Sequence, residues 1–224
     1  MKKVLHDFID LVFPNCCPGC EQPLVTGEAH LCTSCELELP CFAVNENILN
    51  YFAGRIELAE ARAFIKFYSG GIAQKLLHQI KYQGNKALGE HLGKMFIQHL
   101  QSEPVYGNIN VAVPIPLHKS KLRARGYNQS EVLAQGISQI LAINIDLTTV
   151  VRTKKSETQT RKSRAERWQN VEGIFVVKND DLKGKHVLLV DDVITTGATL
   201  EACAQVIINA GAASVSVAVL AAAM

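Results

Sequence analysis

Two patterns of apolar and polar positions take turns along this chain. Short unbroken apolar runs give way to longer stretches whose apolar residues lie three and four apart. Residues 186–190 (HVLLV) are apolar almost throughout, as expected of a strand buried on both faces of a parallel sheet. Residues 198–209 repeat at helical spacing and stop before Gly211, and 214–220 form a further strand-like run. Upstream, the pattern predicts a strand at 110–113 ending at Pro114 and Pro116, a helix over 130–141 and a strand over 173–177. Earlier still, 61–68 reads as a strand, Gly70 and Gly71 as a turn, and 72–80 as a helix. After a break at Gly84, residues 87–100 place Leu88, Leu92, Met95 and Phe96 on one helical stripe. Strands alternating with helices argue for an α/β fold, a parallel sheet with helices on both faces.

The first 50 residues differ. They carry no long periodic segment, and Pro14, Pro18, Pro23 and Pro40 punctuate them. Residues 1–11 begin with two lysines, but His6, Asp7 and Asp10 interrupt any apolar stretch, so a short amphipathic helix is expected rather than a signal peptide. No run approaches the ~18 apolar residues of a membrane span, and a cytoplasmic protein is expected. With 224 residues, 48% of them apolar, the chain can bury one full domain and carry a small appendage. The formal net charge of +2 indicates no global attraction to nucleic acid.

Five of the seven cysteines fall in the first 35 residues. In a reducing compartment such a cluster points to metal rather than to disulfides. Cys17, Cys20, Cys32 and Cys35 form two knuckles whose spacing suits a four-thiolate structural zinc site with no open position. Cys16 with Cys20 is also feasible, Cys41 lies close enough to compete, and His30 is a weaker alternative ligand. An iron–sulfur site and free cysteines remain the other readings. Zinc would also help a proline-broken segment with little core of its own to fold.

The chemistry-bearing stretch is 187–199, VLLVDDVITTGAT. A buried strand delivers Asp191 and Asp192 at its C-terminal end, a loop of hydroxyls and one glycine follows, and a helix begins. Open α/β sheets bind ligands at the carboxyl ends of their strands. A helix N-terminus offers an anion unpaired N–H groups. Gly197 permits close approach to the backbone, and Thr195, Thr196 and Thr199 add hydroxyls. The acids would repel a phosphate, so they suit sugar hydroxyls or a magnesium shell. A plain strand–turn–helix capped by threonine would not call for two adjacent acids.

This stretch resembles the 5-phosphoribosyl-1-pyrophosphate (PRPP) motif of type I phosphoribosyltransferases. Residues 113–129 (VPIPLHKSKLRARGYNQ), 159–175 (QTRKSRAERWQNVEGIF) and 77–82 (LHQIKY), with the N-terminal cysteines, are similar to the bacterial ComF/GntX family. The resemblance implies a type I phosphoribosyltransferase fold over 51–224, with 51–108 as hood and connecting elements, behind a zinc-binding module at 1–50. It places Asp191 and Asp192 on ribose hydroxyls, and Thr195, Thr196, Gly197, Ala198 and Thr199 on the 5′-phosphate. It makes the basic turn at Arg123, Arg125 and Gly126 a pyrophosphate loop, oriented by Asn128 and Gln129. The basic stretch 152–167 would be a flexible catalytic loop acting through Gln159, Arg161, Arg164 and Arg167, with magnesium assisting.

The reaction so implied is displacement of pyrophosphate at ribose C1, with the acceptor unassigned and no general base evident. Some members of the family are linked to natural transformation. The resemblance therefore also admits single-stranded DNA or DNA-uptake proteins as partners, and a non-catalytic PRPP-sensing or DNA-interacting role as the alternative. His78, His91, His99, His118 and His186 have no ligand-spaced partner and receive no chemistry. Cys203 reads as a small buried apolar residue.

Overall fold

The computed structural model describes residues 14–101, 105–153 and 173–223. The expected helix at 1–11 and the loop residues Gln159, Arg161, Arg164 and Arg167 lie outside them.

Among the described residues the elements run as follows. A short helix α1 (Thr33–Leu37) follows the second cysteine knuckle. Strand β1 (Glu60–Phe67) leads into helices α2 (Ile72–Tyr82) and α3 (Lys86–His99). Then come β2 (Val111–Pro114), α4 (Lys119–Arg125), α5 (Gln129–Leu141), β3 (Asn144–Ile145) and β4 (Val150–Arg152). The chain continues with β5 (Phe175–Val177), β6 (His186–Ile194), α6 (Ala198–Asn209) and β7 (Ser214–Ala223).

Five strands form one sheet in the order β1-β7-β6-β2-β3, and every neighbouring pair is parallel. A two-stranded antiparallel sheet, β4-β5, stands apart from it. Side chains alternate across β6, and this decides the layering. Leu188 and Val190 enter a core shared with α2, α3 and α5, while Val187 and Leu189 enter a second core shared with α6. Both faces are covered, which is why the sequence of β6 is apolar without alternation. Residues 51–108, expected as hood and connecting elements, supply an edge strand of the sheet through β1 and the two helices over one face.

The helical face is packed unusually close where α3 crosses α5. A Cβ at Gly136 would fall 2.0 Å from the carbonyl oxygen of Glu90, and one at Gly93 2.4 Å from that of Leu133. Only glycine fits either position. The cysteine segment joins the same core, through Cys17, Leu31, Cys35 and Leu39. It continues into an extended segment beside β1, where Phe42 N donates to Phe64 O and Ile48 N to Ala61 O.

Two expectations need adjusting. β6 does not end before the acids but runs through them to Ile194, because β7 is ten residues long and stays in register up to Ile194↔Ala222. The basic turn after β2 is a seven-residue helix, α4. His118 caps it by accepting from Ser120 N, and Gly126, at φ 77°, ends it in the left-handed conformation. β3 and β4 are too short to leave a period in the sequence.

Candidate functional site

The site is made by an overhang. β2 and β6 are neighbours, but β2 ends at Pro114, opposite Val190, and the last bond between them runs from Ile115 N to Val190 O. From Asp191 onward β6 is paired with β7 on one side alone. The other side opens above the end of β2, and the two acids stand there. With no strand partner on that edge, Asp192 N donates to the side chain of Asp191 at 2.9 Å.

The two acids have different surroundings. Asp191 Oδ1 also accepts a hydrogen bond from Ser130 Oγ, in the first turn of α5, at 2.9 Å. Burial, and after it the charge of Asp192, push the Asp191 carboxyl up to about 7. Asp192 Oδ2 instead pairs with Lys81 Nζ, at the end of α2, at 3.0 Å. Two contacts bring α2 there. Tyr127 donates its hydroxyl proton to the Ile80 carbonyl, and Arg125 stacks over Tyr82 at 5.5 Å.

Lys121 and Arg125 lie four residues apart on α4, on one helical face. Burial lowers the Lys121 ammonium, and the charges of Arg152, Arg125 and Lys81 lower it further. Among the described residues, Lys81, Lys121 and Arg152 thus act on the charge of the acid pair, and Arg125 acts on Lys121. Gln129 accepts from Arg125, and Asn128 caps α5 while donating to Ile115 O at 3.0 Å. Of the residues expected in the pyrophosphate loop, Arg125, Gly126, Asn128 and Gln129 adjoin this cluster, and Arg123 is solvent-exposed.

Thr195 and Thr196 are exposed in the turn between β6 and α6, Ala198 is half-buried as the first residue of the helix, and Thr199, exposed, is the second. Gly197, at φ 79°, is the N-cap residue. A Cβ there would lie 3.2 Å from Phe52 Cε1 and 3.3 Å from Tyr51 O. The close approach at this left-handed glycine is therefore made by the protein's own 51–55 segment. Arg55 fastens that segment, donating from Nη2 to Thr196 O at 3.3 Å and pairing with Glu201 through Nη1 at 2.9 Å.

Magnesium needs hard oxygen ligands in near-octahedral geometry at about 2.0–2.1 Å. Asp191 Oδ1 already accepts two hydrogen bonds, and Asp192 Oδ2 is held by Lys81. As arranged, the acid pair is not a divalent-ion cage.

The cysteines give a clearer fit. The sulfur atoms of Cys17, Cys20, Cys32 and Cys35 all lie within 4.8 Å of one another, with Cys20 and Cys32 at 3.6 Å. Four thiolates around a tetrahedral zinc at ~2.3 Å would sit ~3.8 Å apart. Burial raises the Cys17 thiol, but the backbone N–H groups of Cys32, Cys20 and Gly19 outweigh this and bring it to about 7. Cys16 is not in the group and is exposed. The knuckle also needs Gly19, since a Cβ there would fall 2.8 Å from Cys35 Sγ.

With this geometry in place, the relatives can be compared. The phosphoribosyl transferase domain family matches residues 128–224. That stretch of the chain is similar to a phosphoribosyl transferase domain. The matched domain contains the acid pair, the 195–199 turn and Ser130, while Lys81, Lys121, Arg125 and the cysteines come from outside it. The DNA utilization protein YhgH of Escherichia coli is 31% identical over 145 residues, 63% of each chain. The competence protein ComFC of Bacillus subtilis is 37% identical over 112 residues, 47% of this chain and 42% of that protein. Competence protein F of Haemophilus influenzae is 36% identical over 107 residues, 47% of each.

The chain thus spans less than two thirds of the length of these curated relatives. A solved structure of glutamine PRPP amidotransferase from B. subtilis, complexed with ADP and GMP, aligns at 25% identity with a TM-score of 0.40. That alignment covers 58% of this chain and 25% of the other. The similarity to the ComF family read from the sequence is borne out by these relatives, and the phosphoribosyltransferase fold by the domain match over 128–224 and the parallel sheet covered on both faces. Among the described residues, no helix is long and apolar enough to cross a membrane.

Proposed function

We propose that the chain binds PRPP at the overhang of β6 and displaces pyrophosphate from ribose C1. The observation that carries this is the juxtaposition of three parts at the carboxyl end of one central strand. An exposed threonine turn opens a helix, an acid pair stands beside it, and Lys81, Lys121 and Arg152 act on the charge of the acids, with Arg125 beyond them. A helix N-terminus takes the 5′-phosphate. Asp192 accepts from ribose hydroxyls, while Asp191, held by Ser130, orients its neighbour. Lys121 and Arg125 receive the pyrophosphate, whose departure leaves positive charge at C1 and needs stabilised negative charge opposite.

Magnesium, if it arrives with the ligand phosphates, would add charge on the leaving group. Gln159, Arg161, Arg164 and Arg167 are proposed to complete the site from outside the described residues. The acceptor is not assigned. A cytoplasmic setting and structural zinc at Cys17, Cys20, Cys32 and Cys35, within a module at 1–50, belong to the same reading.

Calorimetric titration with PRPP, followed by pyrophosphate-release assays with nucleobases, ammonia and single-stranded DNA, tests it. Saturable PRPP binding with release supports an enzyme. Binding with no release under any acceptor supports a PRPP-sensing protein, and absence of PRPP binding removes the reading. A second reading, a role in handling single-stranded DNA or in contacting DNA-uptake proteins, is favoured by the names of the relatives. It is compatible with the first and is tested by DNA binding in competition with PRPP.

A further inference from the structure

One residue of the site has no place in the division of labour above. Lys81 belongs to α2, outside the matched domain, yet its ammonium lies 3.0 Å from Asp192 Oδ2. Its charge acts on two groups of opposite kind. One is the acid pair at the end of β6. The other is Lys121, whose ammonium feels the charge of Lys81 together with those of Arg152 and Arg125. Its placement is built rather than incidental, since Tyr127 holds the Ile80 carbonyl and Arg125 stacks on Tyr82, the residues on either side of it. Both partners are largely shielded, with side chains 22% and 17% exposed, so the pair is screened less than a surface ion pair.

We propose that Lys81 is a cation belonging to the ligand site, resting on Asp192 in the place a divalent ion would need and turning to the pyrophosphate when a phosphoribosyl ligand binds. This rests on the PRPP reading and deepens it. A site with its own ammonium between ribose and pyrophosphate retains much of its affinity for PRPP without a metal ion. The side chain turns from Asp192 toward the phosphates, and Asp192, released, accepts from the ribose hydroxyls. Its flexible stem allows that exchange, and an ammonium serves a phosphate as a point charge.

The test is titration of the full chain with PRPP and with ribose-5-phosphate, in excess magnesium and in chelator, for the parent, Lys81→Met and Lys81→Arg. The chelator must spare the cysteine site, as judged by unchanged metal content. The parent is expected to lose less than about tenfold in PRPP affinity when magnesium is removed. Lys81→Met should lose more than about tenfold in chelator but only about threefold in magnesium, where the metal ion takes over at Asp192, since one charged hydrogen bond is worth roughly that range. Lys81→Arg should follow the parent. Ribose-5-phosphate, which lacks the pyrophosphate, should bind Lys81→Met as tightly as the parent or more so.

Equal losses for Lys81→Met with and without magnesium would overturn the proposal. So would a parent that binds ribose-5-phosphate in chelator but loses PRPP there altogether. A parent that binds neither ligand under any condition removes the PRPP reading itself, and this inference with it. Circular dichroism of the variants separates these outcomes from misfolding.

Discussion

Arg55 reaches Glu201 at 2.9 Å, joining the segment before β1 to the first turn of α6. The same guanidinium holds the carbonyl of Thr196, so one side chain braces both the turn and the helix that are proposed to receive the 5′-phosphate. Replacing Arg55 with Met should lower ribose-5-phosphate affinity by about threefold to tenfold, the range of one or two partly buried charged contacts. Glu201→Gln, which leaves Arg55 its bond to Thr196, should cost less. Titration calorimetry of the two variants reads the difference. Equal affinity for Arg55→Met and the parent would show that the turn holds its shape unaided.

The acids should separate on mutation. Asp192→Asn should weaken PRPP by at least about tenfold through the lost charged acceptor. Asp191→Asn, whose amide oxygen can still accept from Ser130, should weaken it less. Matching losses would mean that Asp191 also meets the ligand directly.

Asp191 also sets a pH dependence. Its carboxyl, raised by burial to about 7, favours the fold when protonated. That stability is fully present below the ordinary carboxylate range and is lost as pH rises through about 7. Asp191→Asn should therefore flatten the fall in stability between pH 5 and pH 8, measured by urea unfolding. A parent and variant that decline in parallel would point to another group.

The four-cysteine group should hold one zinc ion per chain by elemental analysis. Cys32→Ser should lose it and Cys16→Ser should keep it. Because Leu31 and Leu39 belong to the same core as α2 and α3, metal loss should lower the melting temperature of the whole chain. A transition unchanged by Cys32→Ser would show that the segment contributes nothing to that core. Iron in place of zinc would reassign the site.

Gly136→Ala tests the helix crossing. The added methyl has no room beside the Glu90 carbonyl, so α3 and α5 must separate. Overpacking of this kind costs about 1–3 kcal/mol. Urea denaturation at constant metal content checks it, and an unchanged midpoint would mean the helices part freely.

Much of the fold was legible in sequence because its signals are local. Residues 186–190 are apolar on both faces, and the 87–100 stripe repeats at helical spacing. The acid pair and the threonine turn were legible for the same reason, as were the cysteine knuckles. What escaped depends on distant partners. β6 extends to Ile194 because β7 accompanies it. The basic run 119–125 reads as a turn by composition, but a histidine cap and a terminal glycine make it a helix. Nothing near Lys81 announces Asp192, and nothing near Gly197 announces Phe52. Ser130 looked like an ordinary helix start, and its bond to Asp191 exists only once α5 lies over β6.

The matched stretch 128–224 is not a piece that can be cut out. β2 lies between β6 and β3, and β1 covers β7 through seven aligned pairs from Glu60↔Ser216 to Phe67↔Ala223. Expressed alone, residues 128–224 would leave β7 (SVSVAVLAAA) as a long, uncharged, apolar edge with a full row of unpaired backbone groups. Such edges recruit strands from neighbouring molecules. The N-terminal half of this chain thus keeps the C-terminal half from self-association, and a fragment designed on the domain boundary alone would precipitate rather than bind.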